Sequence, residues 1–265
     1  MSALDDEMLA LMRFVSERTI MPRWRNLATG DVIEKSQNEL VTIADREAEE
    51  FLAEALAKLA PDVPIVGEEA AHADSSVLDR LSGPCWIVDP IDGTHNYAHG
   101  RTPFGIMVAL ADGGEAIAGW IYDPVKDRFC HARRGEGAFV NGERIAARPT
   151  GSEPPVAAIS VIFLDEARRE SVNSHVAPHY RVVETPRCAA EQYPRLALGE
   201  NDVSFFERTL AWDHAAGVLF LNEAGGKVCR PDGSAYRVDE IERTGMIGAA
   251  SPSLWDGRAA LYGKL

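Results

Sequence analysis

The sequence predicts a mixed fold, with an α+β first half and an α/β second half. Three observations predict it. Two stretches with helical spacing open the chain. A run of short apolar segments follows, punctuated by Asp-Gly-Gly and Asn-Gly turns. After Gly-Ser-Glu-Pro-Pro at 151–155 the pattern changes, and apolar runs alternate with helix-like ones. That small, double-proline stretch divides the chain into 1–150 and 151–265. With 265 residues, 46% of them hydrophobic, the chain can bury a sizeable core.

The elements follow in order. Leu4, Met8, Leu11, Met12 and Val15 recur at helical spacing and predict a helix over 3–20, stopped by Pro22. Residues 29–39 are polar and turn-rich, which predicts a hairpin or a mobile loop. Ala44, Ala48, Phe51, Leu52, Ala55 and Leu59 restore helical spacing over 40–60, and Pro61 follows. Residues 64–69 and 85–90 read as short buried strands that end in acids. Residues 104–124 read as two strands joined by Asp-Gly-Gly, and 128–145 as another pair turning at Asn141-Gly142. Beyond the boundary, strands are predicted at 156–163, 180–185, 202–207 and 246–251. Helices are predicted at 165–176, 189–200, 212–226 and 252–262. No repeat or low-complexity tract interrupts them.

The charge narrows the function. There are 27 basic and 41 acidic residues, a net charge of −14. Such a chain repels a nucleic-acid backbone or an anionic membrane on average. It also repels an anionic small substrate, unless a cation or a set of N–H donors reverses the sign locally. No apolar run approaches the ~20 residues needed to span a bilayer. The start, MSALDDEMLALMRF, has no signal-peptide pattern. A soluble cytoplasmic protein is expected. Cys85, Cys130, Cys188 and Cys229 form no C-x-x-C pair and read as buried or partly buried free thiols.

The most informative stretch is WIVDPIDGTHNYAHG, residues 86–100. Asp89 ends an apolar run, and Asp92 follows after Pro-Ile. Two carboxylates brought together this way hold a hard divalent cation. Gly93-Thr94 then opens a short helix, whose free N–H groups suit a phosphate oxygen. Taken alone, an Asx-turn with a helix cap explains the same residues. Glu68 and Glu69, Asp213 and Asp45 also stand at strand ends or helix starts. If these acids converge, they are too many to stay ionised without a metal. A bound metal would turn the negative hole into a phosphate attractor.

WIVDPIDGTHNYAHG is similar to the W-[VI]-[VI]-D-P-[IL]-D-G-T-x-N-[FY]-x-x-G signature of the inositol monophosphatase family. WDHAAGVLFLNEAGG, residues 212–226, matches that family's second signature, W-D-x-A-A-G. Residues 67–69, 35–49 and 133–145 match in order and spacing. The chain resembles the family over nearly its whole length, least of all over 165–210. The resemblance implies a layered αβαβα sandwich of the inositol monophosphatase and fructose-1,6-bisphosphatase type. It implies hydrolysis of a phosphate monoester with two to three Mg²⁺ ions, Mn²⁺ as a possible substitute, inhibition by Li⁺, and a homodimer. Matched by motif, Glu68, Asp89 and the Ile91 carbonyl would ligate a first metal. Asp89, Asp92 and Asp213 would ligate a second, and Glu68 would serve a third through water. Thr94, aided by Asp45, would position the attacking water. The N–H groups of Gly93 and Thr94 would hold the phosphate, and Lys35 matches a mobile-loop lysine.

On the substrate side, Asp92 and Asp213 would also face the substrate. The Ala189-Ala190 pair resembles a small-residue turn that approaches the sugar ring. Glu207 lies near a family acid that contacts ring hydroxyls, but one residue closer to Asp213. Arg187, Arg195 and Arg208 are either ligands for a second phosphate or solvated charges. An inositol monophosphate-like sugar or polyol phosphate is expected. Histidinol phosphate, fructose 1,6-bisphosphate and 3′-phosphoadenosine 5′-phosphate are the alternatives. His95 and His99 have the i, i+4 spacing of a zinc helix, but lack a nearby third ligand. His214 occupies the variable position of the second signature and is expected to pack against the helix start. A haloacid-dehalogenase-type phosphatase would separate its two aspartates by one residue, and here two intervene. A regulatory protein that only retains the fold is disfavoured by the intact acids and Thr94.

Overall fold

The computed structural model describes residues 2–28, 30–36, 39–257 and 261. Helix α1 (Ala3–Val15) starts on a capping box made by Ser2 and Asp5, and runs on as a π-helical turn to Ile20. Pro22 lies just beyond, as expected. Strands β1 (Val32–Ser36) and β2 (Glu39–Thr42) form an antiparallel hairpin, so the hairpin reading of 29–39 holds. The strand claims Leu40 to Thr42. Helix α2 (Ile43–Leu59) therefore begins later than its periodicity suggested, with Thr42 as its N-cap.

A seven-stranded sheet follows, built from β3 (Ile65–Gly67), β4 (Cys85–Asp92), β5 (Gly105–Asp112), β6 (Glu115–Asp123), β7 (Arg128–Arg133), β8 (Gly137–Val140) and β9 (Glu143–Ile145) in that spatial order. Only β3 and β4 run parallel. Residues 128–145 make three strands rather than two, because Arg134–Glu136 and Asn141-Gly142 each supply a turn. Short helix α3 (Glu68–Ala73) starts where β3 ends, and a 3₁₀ segment at Ser75–Ser82 precedes β4. Helix α4 (Thr94–Ala98) follows β4 at once.

The second sheet has five strands. They are β10 (Val156–Ile159), β11 (Arg181–Val183), β12 (Val203–Phe206), β13 (Lys227–Cys229) and β14 (Met246–Ala249), in the order β11-β10-β12-β14-β13. The β10 pairings are parallel and those of β14 antiparallel, so the alternation of helices and strands gives a mixed sheet. β10 is half its expected length. The chain turns at Val161–Leu164 to wall the cleft described below. Helices α5 (Glu166–Ser171), α6 (Ala189–Ala197), α7 (Ala211–Glu223) and α8 (Pro252–Asp256), with a π-helical turn at Val172–Val176 and a 3₁₀ turn at Ala177–His179 after α5, complete the described elements. Residues 258–260 and 262, the end of the last expected helix, lie outside the described residues.

Strand alternation sorts the layers. Trp86, Val88, Ile106, Val108 and Trp120 pack with Met8, Met12, Leu52 and Leu56 of α1 and α2. Ile87, Met107, Ala109 and Ile121 face the opposite way, toward Tyr193, Leu196, Ala216 and Phe220 of α6 and α7. The far side of the second sheet packs Ala157, Val203 and Ile247 against Val172, Val176 and Trp255. The result is an αβαβα sandwich. Helix α7 lies in the middle layer and is buried around its circumference, which accounts for its lack of a polar stripe. Close approach there depends on glycine. A Cβ on Gly119 would lie 2.8 Å from the Ala216 Cα, and one on Gly217 would overlap the Tyr193 ring.

Candidate active site

In a regular strand Asp89 and Asp92, three residues apart, would point to opposite faces. They do not, because β4 carries a bulge between them. Asp89 pairs with Met107 and Asp92 with Gly105, so one extra residue is inserted on the β4 side. Pro90, which has no N–H to donate, sits inside that bulge. The carboxylates of Asp89, Asp92 and Asp213 converge, with one oxygen of each within 4.8 Å of the others. Asp213 comes from the first turn of α7. Glu68, the first residue of α3, lines the same cleft.

The convergence is costly for ionised acids. Burial, and then the charges of Glu68, Asp92 and Asp213, push the Asp89 carboxyl well above its usual range. Burial and then Asp213 raise Asp92 to about 7. Asp89 Oδ1 is buried and has no hydrogen-bond partner among the described residues. A cluster of oxygen donors, with one oxygen left unsatisfied, fits a hard divalent cation that takes several oxygens.

The local chain holds this arrangement. Gly93 adopts φ 85, and a Cβ there would meet the Pro103 carbonyl at 3.0 Å and the Cys188 Cβ at 3.1 Å. Thr94 Oγ1 lies 2.8 Å from the Ile91 carbonyl and 3.1 Å from Asp45 Oδ1. Asp45 does not line the cleft. It stands behind Thr94, fully buried at the start of α2. Its Oδ2 accepts the Thr42 N–H at 2.8 Å and the Thr42 hydroxyl at 2.5 Å. Burial raises its carboxyl to about 7, against the hydrogen bonds from Thr42.

Two supporting groups escaped the sequence. Asp92 Oδ2 accepts the Ala190 N–H at 2.6 Å and the Cys188 thiol at 3.0 Å, so a cysteine expected only to fill space orients a carboxylate. The nearest signal was its position just before the small-residue pair. Glu49 accepts the Glu69 and Ala70 N–H groups at 2.8 Å each, which fixes the start of α3 and with it Glu68. No spacing rule singles out that contact from a solvated helix acid.

The cleft holds about 1070 Å³, part of it open to solvent. Gly93, Thr94, Ile91 and Ala189 line it beside the acids, and Ala158, Phe205 and Phe206 form an apolar wall. Glu207 also lines it, but Arg168 grips its two oxygens at 2.6 and 3.0 Å. Arg208 stacks over Phe163 at 4.4 Å and lies 3.8 Å from Asp213. Arg195 is outside the cleft lining, held by the buried Glu191 at 2.9 Å. Arg187 lines the cleft. The Lys35 side chain lies outside the described residues. His95 and His99 stack at 4.4 Å, and His99 Nδ1 bonds the His95 carbonyl rather than joining the acids. His214 packs as expected, bridging the Tyr193 hydroxyl at 2.8 Å and the Arg208 carbonyl at 3.0 Å. Cys85, Cys130 and Cys188 are buried thiols, while Cys229 is half-exposed. No described helix is long and apolar enough to cross a membrane.

Known proteins share this sequence pattern and fold. An inositol-1-monophosphatase of Bacillus subtilis is 34% identical over 220 residues, covering 82% of this chain and 81% of that protein. A fructose-1,6-bisphosphatase/inositol-1-monophosphatase of Thermotoga maritima is 31% identical over 247 residues, 91% of each. The solved structure of an IMPase from Thermotoga maritima superposes with a TM-score of 0.80 at 27% identity, covering 98% of this chain and 96% of that one. The sequence profile of the inositol monophosphatase family matches residues 7–262. Fold and sequence agree: the chain belongs to the inositol monophosphatase family.

Proposed function

We propose that the chain is a Mg²⁺-dependent phosphatase that hydrolyses a small sugar or polyol phosphate, of the inositol monophosphate type, by direct attack of water. The observation that carries this reading is the unsatisfied Asp89 Oδ1 in a convergent triad with Asp92 and Asp213, beside the Gly93–Thr94 helix start. Glu68, Asp89, Asp92, Asp213 and the Ile91 carbonyl would hold the metal, with Mn²⁺ as a possible substitute. Bound there, the ion supplies a lowered water pKa and positive charge against the phosphoryl oxygens.

The chain's own residues do the rest. The Gly93 and Thr94 N–H groups receive phosphoryl oxygens at the helix start. Thr94 Oγ1 donates to Asp45 Oδ1 or to the Ile91 carbonyl, and its lone pairs then accept a hydrogen bond from the attacking water. That contact orients the water for in-line attack on phosphorus. The ester P–O bond breaks, and the leaving alkoxide takes up a proton. Asp45, raised to about 7, can accept a proton near neutral pH through Thr94. No side-chain nucleophile is required. The reading includes a homodimer in the cytoplasm, supported by family habit and by free cysteines.

The test is phosphate release from inositol 1-phosphate, histidinol phosphate, fructose 1,6-bisphosphate and 3′-phosphoadenosine 5′-phosphate. Activity should require Mg²⁺, fall with Li⁺ and vanish in Asp92→Asn. Release that survives metal chelation or Asp92→Asn would overturn the reading.

A further inference from the structure

Arg187 is an exposed arginine on the wall of the cleft. Among the described residues, its guanidinium makes no ion pair and no hydrogen bond. Its neighbours in the chain are tightly held. Asn96 Nδ2 donates to the Pro186 carbonyl at 2.9 Å, and the Cys188 thiol donates to Asp92. Between these anchors Arg187 takes φ 53, a left-handed conformation that disfavours side chains with a Cβ. A strained backbone that presents a long cation to a cleft is the pattern of a ligand clamp.

Arg187 sits beside an imidazole that it helps to keep neutral. His95 lines the same wall, and its imidazole sits below its ordinary value through burial, then through the charges of Arg187, His99 and Arg101. The chain as a whole carries −14. An unpaired guanidinium on the cleft wall of so acidic a protein attracts negative charge to one place. The reacting phosphoryl group already has the Gly93 and Thr94 N–H groups and the cation-binding acids. An uncharged polyol offers a guanidinium little that water does not.

We propose that Arg187 forms a second-anion subsite, so that the preferred substrates are phosphate monoesters whose leaving group bears a further carboxylate or phosphate. This rests on the phosphatase reading above. It deepens that reading by choosing the charged subset of small esters.

The experiment compares kcat/KM for two kinds of substrate. Fructose 1,6-bisphosphate and 3-phosphoglycerate carry a second anion, whereas inositol 1-phosphate and glycerol 2-phosphate do not. The wild type should favour the two-anion group, less so as ionic strength rises. In Arg187→Ala the ratio of two-anion to one-anion kcat/KM should fall about 10-fold, chiefly through KM, the size of one charge-assisted contact. Arg187→Gly, which relieves the left-handed backbone, should lower the ratio equally, separating charge from strain. Arg187→Lys should keep most of it. An unchanged ratio in Arg187→Ala, or a Lys variant that behaves like Ala, would overturn the subsite. A wild type that cleaves one-anion esters and ignores two-anion ones would overturn the subsite and leave the phosphatase standing. Cleavage of neither group would overturn both.

Discussion

Glu49, in the middle of α2, caps the first turn of α3: its Oε2 accepts the Glu69 N–H and its Oε1 the Ala70 N–H, both at 2.8 Å. The contact requires Gly67. A Cβ there would overlap the Glu49 carboxylate. The acid that should bind metal, Glu68, is thus placed by a neighbouring acid that never touches the cleft. Gly67→Ala should expel Glu49 and swing Glu68. Glu49→Gln should do the same more mildly, because an amide presents one acceptor oxygen to two N–H donors. A hydrogen bond to a charged group is worth about 1.5–3 kcal/mol. Phosphatase kcat/KM should therefore fall about 10- to 100-fold in Glu49→Gln, with the concentration of Mg²⁺ needed for half-maximal rate rising. An unchanged metal requirement would show that Glu49 serves stability alone.

Thr94 and Asp45 should act as a unit. Thr42 presents two donors to Asp45 Oδ2, leaving Oδ1 for Thr94. In Asp45→Asn the amide oxygen must stay with the Thr42 donors, so the NH₂ group faces Thr94 and reverses that hydrogen bond. The hydroxyl can then no longer be drawn toward residue 45. Thr94→Val removes it altogether. Each change should lower kcat by about 10²-fold or more, the usual scale of positioned proton transfer. The double variant should be little worse than either single one. Thr94→Ser should keep most of the rate. Fully additive losses in the double variant would break the link.

Much of this site was legible because its parts are local. Asp89, Asp92, Gly93 and Thr94 lie within six residues, and a strand-bulge-helix unit leaves few ways to arrange them. Asp45 and Asp213 were legible as helix-start acids in family motifs. What stayed hidden depends on contacts between distant segments. Glu49 meets Ala70 across 21 residues, and Cys188 meets Asp92 across 96. Arg168 reaches Glu207 across 39, from the segment where the family pattern is weakest. Periodicity marks which face of an element is buried and says nothing of its partner. The same limit explains the strands. β3 stops where α3 begins at Glu68, β10 stops short of the turn at Val161 to Leu164, and three-residue strands such as β13 carry too little alternation to read.

Helix α7 should tolerate almost no added volume on its α6 side. A Cβ on Gly217 would overlap the Tyr193 ring, and that ring is stacked on Phe206 at 5.4 Å with its hydroxyl bonded to His214. The ring has nowhere to go. Gly217→Ala should cost about 1–3 kcal/mol in stability, the range for overpacking, although alanine is the better helix former. Tyr193→Phe should cost less, about 1 kcal/mol, by removing one hydrogen bond to the buried imidazole. Denaturant melts read both. A stabilised Gly217→Ala would mean that α6 and α7 separate easily, which the layered packing contradicts.

The acid cluster makes the metal-free protein pH-sensitive in an unusual direction. Asp45 and Asp92 are raised to about 7, and Asp89 well above the usual range, from about 3.8 in an unfolded chain. Above pH 4 the folded state therefore holds protons that the unfolded state has released. Stability from these groups is full below pH 4 and lost as pH rises through about 7 and beyond. Other groups have the opposite sign. Burial lowers His95 and His131, and lowers His214 to about 3, so their contribution grows as pH rises toward 6.5. Asp5 and Glu191, held at about 2 by their hydrogen-bond partners against the cost of burial, lose their contribution only in acid below pH 4. At pH 6.5 the unfolded histidines still hold about half their protons, so their rising contribution ends only near pH 7.5, and comparison with Asp89→Asn, which has the same histidines, isolates the acid cluster from pH 6.5 to 8.5. In chelator, Tm should fall across that window by several degrees more in the wild type than in Asp89→Asn, at roughly 1.4 kcal/mol per pKa unit. Mg²⁺ binds the ionised form, so its stabilising effect should grow with pH and flatten the curve. Asp89→Asn should flatten it without metal. Metal-free curves of the wild type and Asp89→Asn that run parallel from pH 6.5 to 8.5 would mean that the acids do not crowd one another as their positions require.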